Sequence, residues 1–253
     1  MPGSVSFSCI PLTIAFSFSE FKLSGGFFWV MLQRYLLRFT LPLLSIILAV
    51  GAHAQSGPPK EAGKREAELV ELTKLDRSIK LDIKYATADN FVGRAVYPEA
   101  RAFLQLPAAK GVVRVHKWLR KQGLGVVIYD GYRPWSITKL FWDVVREDQK
   151  MFVADPAKGS KHNRGCAVDL GIYDLKTGRA VPMPSAYDEF TEPASPNYAG
   201  GTEKETRNRD KLRQLMEANG FTVNPNEWWH FDLIGWEQYA IYDIAFVDVK
   251  KKN

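Results

Sequence analysis

Two short segments, far apart in the chain, most constrain what this sequence can fold into. The first runs from Ser160 to Asp169 and contains His162, and the second runs from Glu227 to His230. A catalytic zinc site has three protein ligands, typically imidazole or carboxylate groups, and one open position for water. The two segments offer three such ligands: His162, Asp169 and His230. Glu227 then remains as a free carboxylate that can act as a base.

The local sequence favours convergence of these groups. Gly165 allows a tight turn after His162. Ala167 and Asp169 lie two positions apart and share one face of a predicted strand, so the strand can present Asp169 back toward His162. Cys166 lies inside the same segment and is interpreted as a small core residue and not as a ligand.

Composition and charge exclude one class of partner. The chain has 253 residues, of which 46% are hydrophobic and 25% are charged, which is typical of a globular domain with a hydrophobic core. The formal net charge is +6, but lysine and arginine are scattered along the sequence. We therefore expect no nucleic-acid partner.

The N-terminal region is typical of an export signal. A basic stretch begins at Met31, an apolar run extends from Phe39 to Val50, and small residues precede a predicted cleavage site after Ala54. The apolar run is too short to span a bilayer comfortably, so we expect no stable membrane span once the signal is removed. A genuine N-terminal anchor is the alternative.

These features divide the chain into four parts. Residues 1–30 are interpreted as an over-translated extension, residues 31–54 as a signal peptide, and residues 55–66 as a flexible lead-in. Residues 67–253 form the predicted domain, which we expect to be exported to the periplasm or secreted. Only Cys166 follows the predicted cleavage site, so we expect no internal disulfide.

The hydrophobic pattern of the domain predicts an α+β fold. Alternating or continuous apolar runs predict strands over residues 81–85, 125–129, 167–173 and 228–233. Helical periodicity predicts helices over residues 107–122, 136–147, with Ser136 as the cap, and 202–219. His116 lies in the first of these helices and is interpreted as a surface or hydrogen-bonded helical residue. Irregular alternation of strands and helices favours a mostly antiparallel central sheet flanked by helices.

Four motifs carry a resemblance to a known family. The Ser160–Asp169 and Glu227–His230 segments resemble the M15 zinc peptidases, which have the D-Ala-D-Ala metallopeptidase and Hedgehog-like fold. Together with Tyr85–Phe91 and Asp130–Pro134, they resemble the D-alanyl-D-alanine dipeptidases of that family, the VanX-type enzymes. The resemblance extends from about Leu72 to Tyr242, with the motifs in family order.

The resemblance implies a catalytic role for five residues. One zinc ion would be held by His162, Asp169 and His230. Glu227 would be the general base that takes a proton from the attacking water and then protonates the leaving amine. Arg133 would bind the scissile carbonyl oxygen, because a fixed cation stabilises the negative charge that develops there.

The resemblance also implies how a short substrate is recognised. Asp188 would pair with the free ammonium of the substrate, with Ser160 and Tyr85 nearby. Such a carboxylate favours a dipeptide, because a longer peptide offers an uncharged amide and leaves the buried charge unpaired. Glu189 is an alternative candidate for this role.

The residues indicate a metal-dependent hydrolase, and the resemblance implies a zinc metallopeptidase that hydrolyses the dipeptide D-Ala-D-Ala to two D-alanines. One alternative is a D,D-carboxypeptidase or endopeptidase that trims peptidoglycan stem peptides. A second is a non-catalytic zinc-bearing module that binds wall fragments, although such a module needs neither Glu227 nor Arg133. A hydrolase with Ser160 or Cys166 as nucleophile would lack a histidine that is not already assigned.

Overall fold

The computed structural model describes residues 57–249. The predicted N-terminal extension and signal peptide lie outside the described residues. The strands are β1 (Leu69–Glu71), β2 (Lys80–Leu81), β3 (Phe103–Gln105), β4 (Leu124–Asp130), β5 (Ala167–Asp174), β6 (Phe221–Asn224) and β7 (Glu227–Leu233). The α-helices are α1 (Leu72–Leu75), α2 (Leu106–Arg120), α3 (Trp135–Val144) and α4 (Glu203–Glu217). No helix within residues 57–249 is long and apolar enough to cross a membrane.

Five strands form the main sheet, in the order β2-β4-β5-β7-β6. All neighbours in it are antiparallel except β2 and β4, which are parallel. β1 and β3 form a separate antiparallel pair. The predicted α+β class with a mostly antiparallel sheet is therefore confirmed.

Helix α2 packs against the sheet through one apolar face. Val112, Val115 and Leu119 recur at helical spacing and are fully buried. Gly111 allows close approach to β6, because a Cβ atom there would lie 2.6 Å from a ring carbon of Phe221. The predicted helix over residues 107–122 is confirmed, with an earlier end at Arg120.

Helix α4 begins where its sequence predicts. The Thr202 hydroxyl accepts a hydrogen bond from the Glu205 N–H, and the Glu205 carboxylate accepts one from the Thr202 N–H. This reciprocal cap satisfies two N–H groups that the first turn leaves free. The helix ends at Glu217, two residues short of the predicted range.

Two local predictions were wrong. The strand predicted over residues 81–85 ends at Leu81, and a 3₁₀ turn occupies Lys84–Ala86. The Tyr85 carbonyl accepts hydrogen bonds from the N–H groups of Val96 and Tyr97, so this segment closes a loop instead of extending the sheet. Ser136 does not cap α3, which begins one residue earlier.

The cap of α3 comes from a distant part of the chain. The Ser136 N–H and hydroxyl both donate to Asp243 Oδ1, at 2.9 Å and 2.7 Å. A carboxylate at this end of a helix satisfies a free N–H and interacts favourably with the helix dipole. The sequence around Ser136 gives no indication of this contact, because Asp243 is 107 residues away in the chain.

The segment predicted as a flexible lead-in makes specific contacts in its second half. The Glu61 carboxylate pairs with the Arg164 guanidinium, at 2.7 Å and 2.9 Å, and accepts the Ile241 N–H. The Arg65 N–H donates to the Gln238 carbonyl. These contacts hold the segment against the domain close to the His162–Arg164 turn.

Candidate active site

The sheet register brings the three candidate metal ligands together. Asp169 on β5 is paired directly with His230 on β7. His162 lies in a 3₁₀ turn that ends at Gly165, whose φ of 68° turns the chain into β5. One ligand atom from each of the three side chains lies within 4.8 Å of the other two. The predicted ligands thus form one cluster, although they come from separate segments.

In each histidine of the cluster, one ring nitrogen makes a hydrogen bond outside the cluster and the other faces the cluster. His162 Nδ1 lies 2.8 Å from the Gly131 carbonyl, which can only accept a hydrogen bond, so Nδ1 carries the proton and Nε2 faces the cluster. His230 is reversed: its Nε2 lies 2.9 Å from Asp232 Oδ1, and its Nδ1 faces the cluster. The two facing nitrogens are 3.2 Å apart.

Asp169 completes the cluster and gives a test of whether a cation fits. Its Oδ1 atom lies 3.1 Å from His230 Nδ1 and 3.4 Å from His162 Nε2. This oxygen is buried and has no hydrogen-bond partner among the residues that the structure describes. Two imidazole nitrogens and one carboxylate oxygen that converge in a buried position suit zinc.

The carboxylates around His230 favour a positive charge at this position. Burial disfavours the charged imidazole, but the carboxylates of Asp169 and Asp232 outweigh it and raise the pKa of His230 to about 10. A metal ion held by a neutral His230 would supply that positive charge instead. The cluster therefore has the electrostatics of a cation site.

Glu227 lies at the start of β7, beside the cluster. Its Oε2 atom is 3.6 Å from His230 Nδ1 and accepts a hydrogen bond from the Asn224 side chain at 3.0 Å. Burial raises the pKa of Glu227 to about 7. A carboxyl group with such a pKa can both accept and return a proton near neutral pH.

Arg133 is held rigidly at the same cavity. Its guanidinium donates to Asp130 Oδ2 from Nε at 3.1 Å and from Nη2 at 2.7 Å, and it lies over the Phe141 ring. Burial would lower the pKa of Arg133, but Asp130 raises it well above its usual range. Asp130 is fixed in turn by the Tyr97 hydroxyl. Arg133 is therefore a permanent cation with little freedom to move.

Asp188 has an unusual backbone conformation. Its φ of 60° is the only positive value for a non-glycine residue in the described part of the chain. Its Oδ2 atom accepts a hydrogen bond from the Tyr85 hydroxyl at 2.8 Å, and burial raises its pKa to about 7. Glu189, the alternative candidate, instead accepts the N–H of Ala186 and the hydroxyl of Thr191 within its own loop.

A cavity of about 400 Å³ connects these groups. Its lining includes every predicted site residue: Tyr85, Arg133, Ser160, His162, Asp169, Asp188, Glu227 and His230. Ser160 contributes by accepting the His162 N–H at 3.2 Å. Aromatic rings form much of the remaining wall: Phe91, Phe141, Phe152, Phe190 and Trp229.

Three residues at the site were missed by sequence reasoning. Asp232 accepts the His230 ring N–H and pairs with Lys161 Nζ at 2.9 Å, and Tyr187 donates its hydroxyl to Asp169 Oδ2 at 3.1 Å. Asp232 could have been found, because it shares a strand face with His230. Lys161 and Tyr187 carry no local signal for these contacts.

Two other residues singled out in the sequence lie away from the cluster. Cys166 is fully buried, and burial raises the pKa of its thiol to about 12, so it is an inert core residue. His116 is buried in α2, where its Nδ1 accepts the Val126 N–H and its Nε2 faces the Ser78 hydroxyl at 3.0 Å. His116 therefore provides a hydrogen-bond acceptor for a buried backbone N–H group, that of Val126.

Comparison with known proteins identifies the family of this chain. The model of the M15 peptidase family, described as D-ala-D-ala dipeptidase, matches residues 65–252. A D-alanyl-D-alanine dipeptidase of Escherichia coli (strain K12) is 34% identical over 166 residues, which is 66% of this chain and 84% of that protein. A D-alanyl-D-alanine dipeptidase of Enterococcus faecium is 32% identical over 181 residues, covering 64% of this chain and 89% of that protein.

A solved structure is also similar. VanYB in complex with D-Alanine-D-Alanine is 16% identical, with a TM-score of 0.37, and the match covers 56% of this chain and 77% of that chain. Family membership rests on the sequence matches, since the family model spans most of the chain. The chain belongs to the M15 peptidase family whose model is described as D-ala-D-ala dipeptidase.

Proposed function

We propose that this protein is a zinc metallopeptidase that hydrolyses D-Ala-D-Ala to two D-alanines. One observation carries the proposal: a single cavity of about 400 Å³ joins the His162, Asp169 and His230 cluster to a partly buried carboxylate, Asp188. A metal cluster alone fits any metallopeptidase. A carboxylate that lines the same cavity fits a substrate with a free ammonium close to the bond that breaks.

The cluster would hold one zinc ion through His162 Nε2, Asp169 Oδ1 and His230 Nδ1. When bound, zinc activates a water molecule and polarises the scissile carbonyl. Glu227 accepts a proton from the attacking water, and its raised pKa lets it pass that proton to the nitrogen of the leaving amine. Its Oε2 atom lies within 3.6 Å of a ligand nitrogen, so it is next to the reacting atoms.

Arg133 stabilises the negative charge that develops on the carbonyl oxygen. Its two hydrogen bonds to Asp130 fix the guanidinium before the substrate arrives. A preorganised cation in a site that excludes water stabilises the transition state more than the ground state. The loss of one such group typically costs about 3–4 kcal/mol of transition-state stabilisation.

Asp188 selects the length of the substrate. The ammonium of a free dipeptide neutralises the carboxylate, which also keeps its hydrogen bond from Tyr85. A longer peptide brings an uncharged amide to this position and leaves the carboxylate unpaired.

The proposal is tested by substrate range and by one variant of the base. Zinc-loaded protein is expected to release D-alanine from D-Ala-D-Ala and not from a stem pentapeptide that ends in D-Ala-D-Ala. Cleavage of the pentapeptide alone would instead establish a D,D-carboxypeptidase. Glu227→Ala is expected to retain zinc and lose nearly all turnover. If that variant stayed active, Glu227 would not be the base, and a zinc-loaded wild type without any turnover would point to a binding module.

We further propose that the protein acts outside the cytoplasm, in the periplasm or after secretion, on products of cell-wall metabolism. The support is the sequence of residues 31–54, with its basic start, apolar run and small residues before Gln55. The expected mature N-terminus is Gln55. Sequencing the N-terminus of protein recovered from the extracytoplasmic fraction tests this, and an uncleaved chain in the cytoplasm would contradict it.

A further inference from the structure

The two carboxylate oxygens of Asp169 have different partners. Oδ1 faces His230 Nδ1 and His162 Nε2 and has no hydrogen bond within residues 57–249. Oδ2 accepts a hydrogen bond from the Tyr187 hydroxyl at 3.1 Å. The carboxylate is therefore oriented, with one oxygen reserved for the cluster and the other occupied by a tyrosine.

Aromatic packing fixes the position of the Tyr187 hydroxyl. The Tyr187 ring stacks on Tyr129 of β4, with ring centres 4.7 Å apart and an angle of 28° between the planes. It also meets the edge of Trp229 of β7, with centres 5.5 Å apart. The ring is thus held by the two strands that flank β5, which carries Asp169. A hydroxyl fixed in this way can orient the carboxylate beside it.

We propose that Tyr187 is a positioning residue that makes Asp169 a metal ligand through Oδ1 alone. A carboxylate without this hydrogen bond can rotate, or can offer both oxygens to the metal. Either change would weaken the site or fill the position that a catalytic zinc keeps open for water. Partners that orient metal ligands in this way typically contribute 10- to 100-fold, as an order of magnitude, to metal affinity or activity.

This inference rests on the proposed function, because it assumes that the cluster binds zinc. Two isosteric variants separate the hydroxyl from the ring. Tyr187→Phe removes the hydroxyl on Asp169 and keeps the ring. Tyr129→Phe is the matched control, because it removes a hydroxyl from the same stack, and the described residues show no hydrogen bond between that hydroxyl and Asp169.

The experiment compares zinc dissociation constants of the full mature chain, measured by competition with a chromogenic chelator. We expect Tyr187→Phe to bind zinc roughly 10- to 100-fold more weakly than the wild type, and Tyr129→Phe to bind it as the wild type does. The visible absorption of the cobalt-substituted protein, which reports ligand number and geometry, is expected to change in Tyr187→Phe only. Thermal unfolding of the metal-free proteins shows whether a variant has lost its fold.

Each outcome bears on one claim. Equal zinc affinity and an equal cobalt spectrum in Tyr187→Phe and wild type would overturn the role of Tyr187. An equal loss in both variants would also overturn it, because the effect would then come from the ring stack. A wild type that does not bind zinc would overturn the proposed function itself.

Discussion

Replacing Asp188 with asparagine removes one charge from the cavity and keeps the size of the side chain. Burial raises the pKa of Asp188 from 3.8 to about 7. At about 1.36 kcal/mol for each pH unit, ionising this carboxyl in the cavity costs about 4 kcal/mol more than in water. A substrate ammonium beside the carboxylate offsets that cost, whereas an uncharged amide does not.

This difference predicts the preference of the enzyme for a free dipeptide. Removing one partner of a buried charge pair typically costs about 2–5 kcal/mol, so kcat/KM is expected to be roughly 30-fold or more higher for D-Ala-D-Ala than for its N-acetyl derivative. Asp188→Asn is expected to abolish this preference. The kcat/KM for the dipeptide falls, because the ammonium loses its partner, and the kcat/KM for the acetylated peptide does not fall.

The assay is D-alanine release from the two peptides, followed under steady-state conditions with the zinc-loaded enzyme. Glu189→Gln is the matched control, because its carboxylate is bonded within its own loop and does not line the cavity. We expect that variant to keep the preference of the wild type. If Asp188→Asn also kept it, the ammonium would be recognised elsewhere and the proposed role of Asp188 would be refuted.

Two further predictions concern pH. The proposed roles of Glu227 and Asp188 both require an ionised carboxylate, and burial raises the pKa of each to about 7, so kcat/KM for D-Ala-D-Ala is expected to rise as the pH increases toward 7. At higher pH it is expected to fall again, because the α-amino group of the substrate loses its proton near about pH 8. A fall in kcat/KM as the pH rises toward 7 would contradict both assignments. Burial lowers the pKa of His116 below 6.5. As the pH drops, the unfolded chain therefore takes up a proton at this histidine before the folded chain does. The free energy of unfolding is expected to decrease as the pH drops below 6.5. His116→Gln is expected to lose this part of the pH dependence in urea unfolding, and an unchanged dependence would show that another group causes it.

The central strands and the longest helices could be predicted from the sequence because their signals are local. β4, β5 and β7 each carry a continuous buried run, and α2 repeats its apolar residues at helical spacing. The eight predicted site residues could be named because they lie in short motifs beside these elements. All eight line one cavity.

Contacts between distant segments could not be predicted in this way. The alternation from Leu81 to Tyr85 is the same for a strand and for an extended segment that turns, and backbone bonds from Val96 and Tyr97 decide between them. The hydroxyl of Tyr187 and the ammonium of Lys161 reach their partners only after the sheet has formed. Such contacts depend on tertiary packing and cannot be predicted from the local sequence around either residue.

Asp169 and His230 become neighbours only when β5 pairs with β7, so metal binding at these residues is coupled to folding. An unfolded chain has no such register, so zinc binds the native state in preference and draws the equilibrium toward it. At a free zinc concentration about a thousand times the dissociation constant, this linkage adds about 4 kcal/mol to stability. The melting temperature of the domain therefore reports the free zinc around it, and a chelator acts on this enzyme as a mild denaturant.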